Sequence, residues 1–103
     1  MNGYVLTPTA QEDLTDIRDY YLEEAGYRVA RQMLVEFVEA FRFLARTPGA
    51  GHNREDLAED RPILFWPMRG YLILYKPGTN PLQIITIARG SRDIPGIIGR
   101  RGL

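Results

Sequence analysis

The spacing of apolar positions changes period along the chain. "GYVLT" at 3–7 is short and apolar, and a proline follows it, which predicts a strand. Beyond Pro8, the residues Ala10, Leu14, Ile17 and Tyr21 recur at helical steps and predict one buried helix face. Thr7 with Pro8 at the first helical position, or Thr9 in a capping box with Glu12, starts that helix. Glu12, Asp13, Asp16 and Asp19 crowd its first half, where the helix dipole favours negative charge. Gly26 ends it. A second helix runs from about Tyr27 to Arg46, with a wide apolar stripe of Ala30, Met33, Leu34, Phe37, Val38, Phe41, Leu44 and Ala45. A stripe of that width buries against a sheet and the first helix together. The connection is very short, so the two helices form an antiparallel hairpin.

Residues 47–62 read as a loop punctuated by Pro48, Gly49 and Gly51, in which "REDLAED" forms one helical turn. Strand-like runs then follow at 63–68, 70–76 and 82–89. Arg69-Gly70 makes a tight hairpin turn and "PGTNP" a looser one, giving an antiparallel meander. Pro67 marks the first of these strands as irregular or at an edge. Ile94, Ile97 and Ile98 form a weak short helix in the tail, interrupted by Pro95 and glycines. The predicted order is β-α-α-β-β-β, an α+β two-layer domain spanning residues 1–103. The helical hairpin covers one face of the sheet. The other is expected to stay partly exposed, as a patch for a partner.

Composition narrows the class. Hydrophobic residues make up 45% and charged residues 25% of 103, the balance of a folded chain rather than a disordered one. There is no cysteine, hence no disulfide framework and no thiolate metal site. The N-terminus lacks the basic start and apolar run of a signal peptide, and no stretch matches a membrane span, so a cytoplasmic protein is expected. Net charge is zero, whereas dedicated nucleic-acid binders are usually strongly basic. Of 13 basic residues, only Lys76 is not arginine. Arginine suits bidentate pairing with carboxylates and protein interfaces.

Candidate chemistry is sparse. His52, the single histidine, lies in the Gly-rich loop and reads as solvated. The acidic group Glu55, Asp56, Glu59 and Asp60 sits beside Arg54 and Arg61 and reads as an ion-paired turn rather than a metal site. "PGAG" lacks the Gly-Lys-Ser/Thr of a phosphate loop. Ser91 has no nucleophile-elbow context. "RGSRD" at 89–93 places Arg89 and Arg92 about a strand end. Ribonucleolytic attack needs a base, an acid and positive charge on the phosphate. The two arginines supply charge only. A structural corner, a partner contact and a phosphate site all remain open readings of this stretch.

Across its length the chain resembles the ParE branch of the RelE/ParE toxin superfamily of type II toxin–antitoxin modules. "LTPTAQEDLTDIRDYY" is similar to the family's strand-to-helix start, on Ala10, Asp13, Leu14, Ile17 and Tyr20 or Tyr21. "FRFLARTPGAGHNREDL" carries a P-x-x-G-x-x-R-x-x-L loop on Pro48, Gly51, Arg54 and Leu57. "MRGYLILYKP" resembles the central hairpin, with Tyr71, Ile73 and Tyr75. "IARGSRDIPGII" resembles the closing R-x-x-H-G-x-R-D segment on Arg89, Gly90, Arg92 and Asp93, with Arg89 where the family has histidine before the glycine.

The resemblance implies the same fold and a toxin without catalytic residues, metal or cofactor. It implies DNA gyrase as target and neutralisation by a cognate ParD-like antitoxin, often a ribbon-helix-helix protein. DNA would be bound only indirectly, through that antitoxin. The alternatives are a RelE-like ribosome-dependent mRNA endonuclease and a non-toxic antitoxin-binding module. Zero net charge and a C-terminal segment without His, Lys or Tyr argue against the endonuclease. Target contact is expected at Arg89, Arg92, Asp93, Ile94, Ile97, Ile98, Arg100 and Arg101. Antitoxin contact is expected on the outer surface of the helices and the open sheet face, with Trp66, Tyr71, Tyr20 and Arg31.

Overall fold

The computed structural model describes residues 3–58 and 61–103. Strand β1 (Tyr4–Leu6) leads into helices α1 (Pro8–Ala25) and α2 (Tyr27–Arg46). A 3-10 turn (Pro48–Ala50) and the short helix α3 (Glu55–Ala58) follow. Then come β2 (Leu64–Met68), β3 (Tyr71–Lys76), β4 (Leu82–Arg89) and helix α4 (Ile94–Arg101). Thr7 is the N-cap of α1: its hydroxyl accepts from the Ala10 N–H, with Pro8 at the first helical position. Gly26, at φ 89°, breaks the two helices apart. Arg69 and Gly70 both have positive φ, which suits the two-residue turn joining β2 to β3.

The sheet order is β1-β4-β3-β2. The meander is antiparallel, as its turns predict, and β1 returns to pair in parallel with β4. The register shifts between Leu74 and Tyr75, leaving Ile85 as the extra residue of a bulge. The bulge lets Ile84 and Ile87 both join the core beneath the helices, while Ile85 and Ala88 join the core on the opposite face.

Two cores result. The first packs α1 and α2, through Ile17, Met33, Phe37, Phe41 and Leu44, on Tyr71, Ile73, Tyr75, Ile84 and Ile87. The second lies on the other face, where Phe65, Leu74, Ile85 and Ala88 meet Ala58, Ile63, Ile94 and Ile98. The expectation of an open second face is therefore corrected: α3 and α4 cover it. The tail helix forms because Pro95 stands in its first turn, where an N–H is not needed, and Asp93 caps it by accepting from the Gly96 N–H at 3.2 Å. Gly102 closes it in the left-handed conformation.

Candidate functional site

Strand β4 is longer than its parallel neighbour. β1 pairs with Leu82 to Ile84 only, so the outer edge of β4 from Ile85 onward needs other partners. Side chains from the start of α1 supply them. Thr7 and Thr9 hydroxyls donate to the Ile85 carbonyl at 3.2 and 3.4 Å. The Ile87 N–H donates to Asp13 Oδ2 at 3.0 Å. Arg101, from α4, closes the arrangement with two bonds to Asp13: Nη1 to Oδ2 at 2.7 Å and Nη2 to Oδ1 at 2.9 Å. The Asp13 carboxylate holds the Arg101 guanidinium above its ordinary pKa. One carboxylate thus ties the first helix, the last strand and the last helix together.

Beside this tie, α1, the end of β4 and α4 enclose a groove of about 440 Å³. Its lining includes Asp16, Tyr20, Tyr71, Arg89, Arg92 and Ile97. The Arg89 guanidinium lies 5.3 Å from the Tyr20 ring centre and 5.2 Å from that of Tyr71. This double cation–π contact restrains a long side chain while leaving its N–H donors uncommitted. Among the described residues, neither Arg89 nor Arg92 has a carboxylate partner. Tyr71 is buried, and its phenol is pushed up to about 12 by burial first and by its hydrogen bond with Tyr21 second.

Loss of solvent at the opposite end of the sheet has a similar effect on Tyr75, whose phenol is raised by burial. Its hydroxyl donates to the Pro48 carbonyl at 2.6 Å and accepts from the Gly51 N–H at 2.9 Å. A Cβ at Gly51 would stand 2.5 Å from that hydroxyl oxygen. The spacing of Pro48 and Gly51 is therefore a mould around Tyr75. His52 is exposed, as its loop position predicts, while its backbone bridges Phe65 and its ring stacks on Trp66 with 6.3 Å between centres. Arg54 pairs with Asp56 at 2.9 Å, as an ion-paired turn requires, while Glu59 and Asp60 lie outside the described residues. No group of three metal-ligating side chains occurs among the described residues, and no helix of the described chain is long and apolar enough to cross a membrane.

A family model described as the ParE toxin of the type II toxin–antitoxin system parDE matches residues 4–94. The chain belongs to the ParE toxin family. A solved structure, titled as the chromosomal ParDE TA system from P. aeruginosa, shares the fold with a TM-score of 0.71. It is 22% identical and covers 86% of this chain and 96% of its own. No curated protein matches.

In this ParE toxin the residues singled out from sequence separate into distinct environments. Arg89, Arg92 and Arg100 are exposed and Ile97 is half-buried, so these reach the surface. Asp93 is spent on capping α4. Ile94 and Ile98 are 1% and 2% exposed in the second core, which removes them from the available contact surface as the tail now lies. Arg101 is committed to Asp13. Tyr20 and Arg31 are exposed, but Tyr71 is 4% exposed, behind Arg89, and is no surface anchor. Trp66 is half-buried, packed on Phe43 with 5.3 Å between ring centres. Sequence reading missed the ties between Asp13 and Arg101, Glu36 and Arg69, and Tyr75 and the 48–51 turn. The arginine-rich composition was the only hint of the first two.

Proposed function

We propose that this chain is the toxin of a cytoplasmic type II module that acts by contact rather than catalysis, with DNA gyrase as target, and that a cognate antitoxin, of ParD-like ribbon-helix-helix type, silences it by direct binding. The family match over residues 4–94 carries the toxin reading. Support for contact comes from the segment at the end of β4. Its Arg89 is held against two tyrosines and Arg92 is exposed beside it, which makes a cationic surface with one restrained guanidinium. The groove is lined by three arginines, of which Arg101 is paired with Asp13, and by no histidine, and Tyr71, the phenol beneath Arg89, holds its proton to about 12. A contact surface fits these properties better than a general acid–base pair does. The proposed effector surface is Arg89, Arg92, Ile97 and Arg100. DNA enters only through the antitoxin.

Induced expression tests the reading, with growth, chromosome supercoiling and ribosome-dependent mRNA cleavage followed together. Growth arrest with loss of negative supercoiling supports it. Cleavage of mRNA at the ribosome would place the chain with the RelE branch, and unimpaired growth would mark it as an antitoxin-binding module alone.

A further inference from the structure

The groove between α1 and α4 has a charge pattern that asks for a specific kind of ligand. Asp13 is saturated, since one oxygen takes Arg101 and the other takes both Arg101 and the Ile87 N–H. Asp16 is then the groove's one carboxylate without an ion-pair partner among the described residues, set against the guanidiniums of Arg89 and Arg92. Neither of these two side chains donates a hydrogen bond to the described protein. The charge of Arg89 rests against two aromatic rings, and Arg92 is exposed to solvent. Tyr20, 48% exposed, and half-buried Ile97 add apolar surface on either side. A guanidinium with its donors unspent pairs best with a carboxylate in bidentate geometry.

We infer that this groove seats an acidic segment of the antitoxin, one that places a carboxylate on Arg89 and Arg92 and an apolar side chain against Tyr20 and Ile97. This rests on the toxin–antitoxin reading above, and it adds the mode of neutralisation. The antitoxin silences the toxin by covering the same two arginines that the toxin presents to its target. The Tyr20–Arg89–Tyr71 stack keeps the guanidinium in place before the partner arrives, which lowers the ordering cost of binding. Tyr20 is a positioning residue in this scheme.

The test is the affinity of the full chain for the antitoxin encoded beside its gene, measured by calorimetry at two salt concentrations. The wild type should bind. R89Q and R92Q should each weaken binding by about tenfold, the scale of a lost charge-assisted contact, and their double variant should show a shallower salt dependence. R46Q, which removes an exposed arginine at the far end of α2, controls for net charge and should leave affinity unchanged. Equal affinity of the double variant and the wild type would overturn the groove as the seat while leaving the toxin–antitoxin reading intact. Failure of the wild type to bind would overturn both. Displacement of the antitoxin by low-millimolar inorganic phosphate, lost in the double variant, would make this an anion site and overturn the inference. If the double variant melts early, arginine-directed modification of the wild-type complex decides. Protection of Arg89 and Arg92 upholds the inference, and modification at the free-protein rate refutes it.

Discussion

Arg101, in the last helix, forms a two-bond ion pair with Asp13, in the first, across 88 positions of sequence. The pair is partly shielded, with side-chain exposures of 31% and 11%. Asp13 also receives the Ile87 N–H, so the carboxylate substitutes for a neighbouring strand where β1 stops short. Ends of the chain that would otherwise be independent are fastened at the rim of the groove.

Breaking this tie should be costly in an asymmetric way. D13A leaves the Ile87 N–H without its acceptor and Arg101 with only a long bond to the Thr86 hydroxyl, and should destabilise by about 1–3 kcal/mol. R101A leaves Asp13 its Ile87 bond and should cost less. Urea unfolding of the two variants checks the order.

Gly51 and Tyr75 should be coupled. G51A drives a methyl group into the phenol, at a cost of about 1–3 kcal/mol for overpacking. Y75F removes the hydroxyl that bonds Pro48 and Gly51. In the Y75F background, G51A should cost measurably less than alone, because the nearest clashing atom is gone. Additive effects in a double-mutant cycle would show that the 48–51 turn is not moulded on Tyr75.

The tail should behave as core, not as an appendage. I98A empties a fully packed position and should cost about 2–5 kcal/mol. R100Q, two residues on and at the surface, should stay within about 0.5 kcal/mol of the wild type. Truncation after Arg89 removes the cover of the second face and should expose apolar surface, seen as dye binding.

Alkaline titration reports on Tyr71. Its phenol is near 10 when unfolded and is raised to about 12 when folded. The folded state therefore holds the proton longer. The associated stability is complete below pH 10 and is lost as pH rises from about 10 to about 12. Tyrosinate absorbance should show Tyr71 ionising late among the six tyrosines, and Y71F should reduce the late amplitude while leaving the share of Tyr75, whose phenol burial also raises.

Much of the fold was legible because it is periodic. The faces of α1 and α2 follow from Ala10, Ile17, Phe37 and Phe41, and the meander follows from Arg69-Gly70 and the alternation around Ile73. The short tail helix was legible from Ile94, Ile97 and Ile98, but Pro95 made it read as weak, whereas at the start of a helix capped by Asp93 a proline is favourable. What the spacing did not give was its packing: Ile94 and Ile98 close the sheet face that was expected to stay partly open. Several residues of the groove, Tyr20, Tyr71, Arg89, Arg92 and Ile97, were singled out separately from the sequence, but their assembly into one site was not legible. Arg89 meets Tyr20 and Tyr71 only when α1, β3 and β4 are assembled, and no spacing along the chain encodes that meeting.

The measurement that bears most directly on this account is supercoiling by purified DNA gyrase in the presence of the purified chain. The wild type should inhibit supercoiling, and the R89Q, R92Q double variant, folded by its melting curve, should inhibit at least about tenfold less, as expected when two charged contacts are lost. Unimpaired supercoiling with the wild type, or equal inhibition by the double variant, would contradict it.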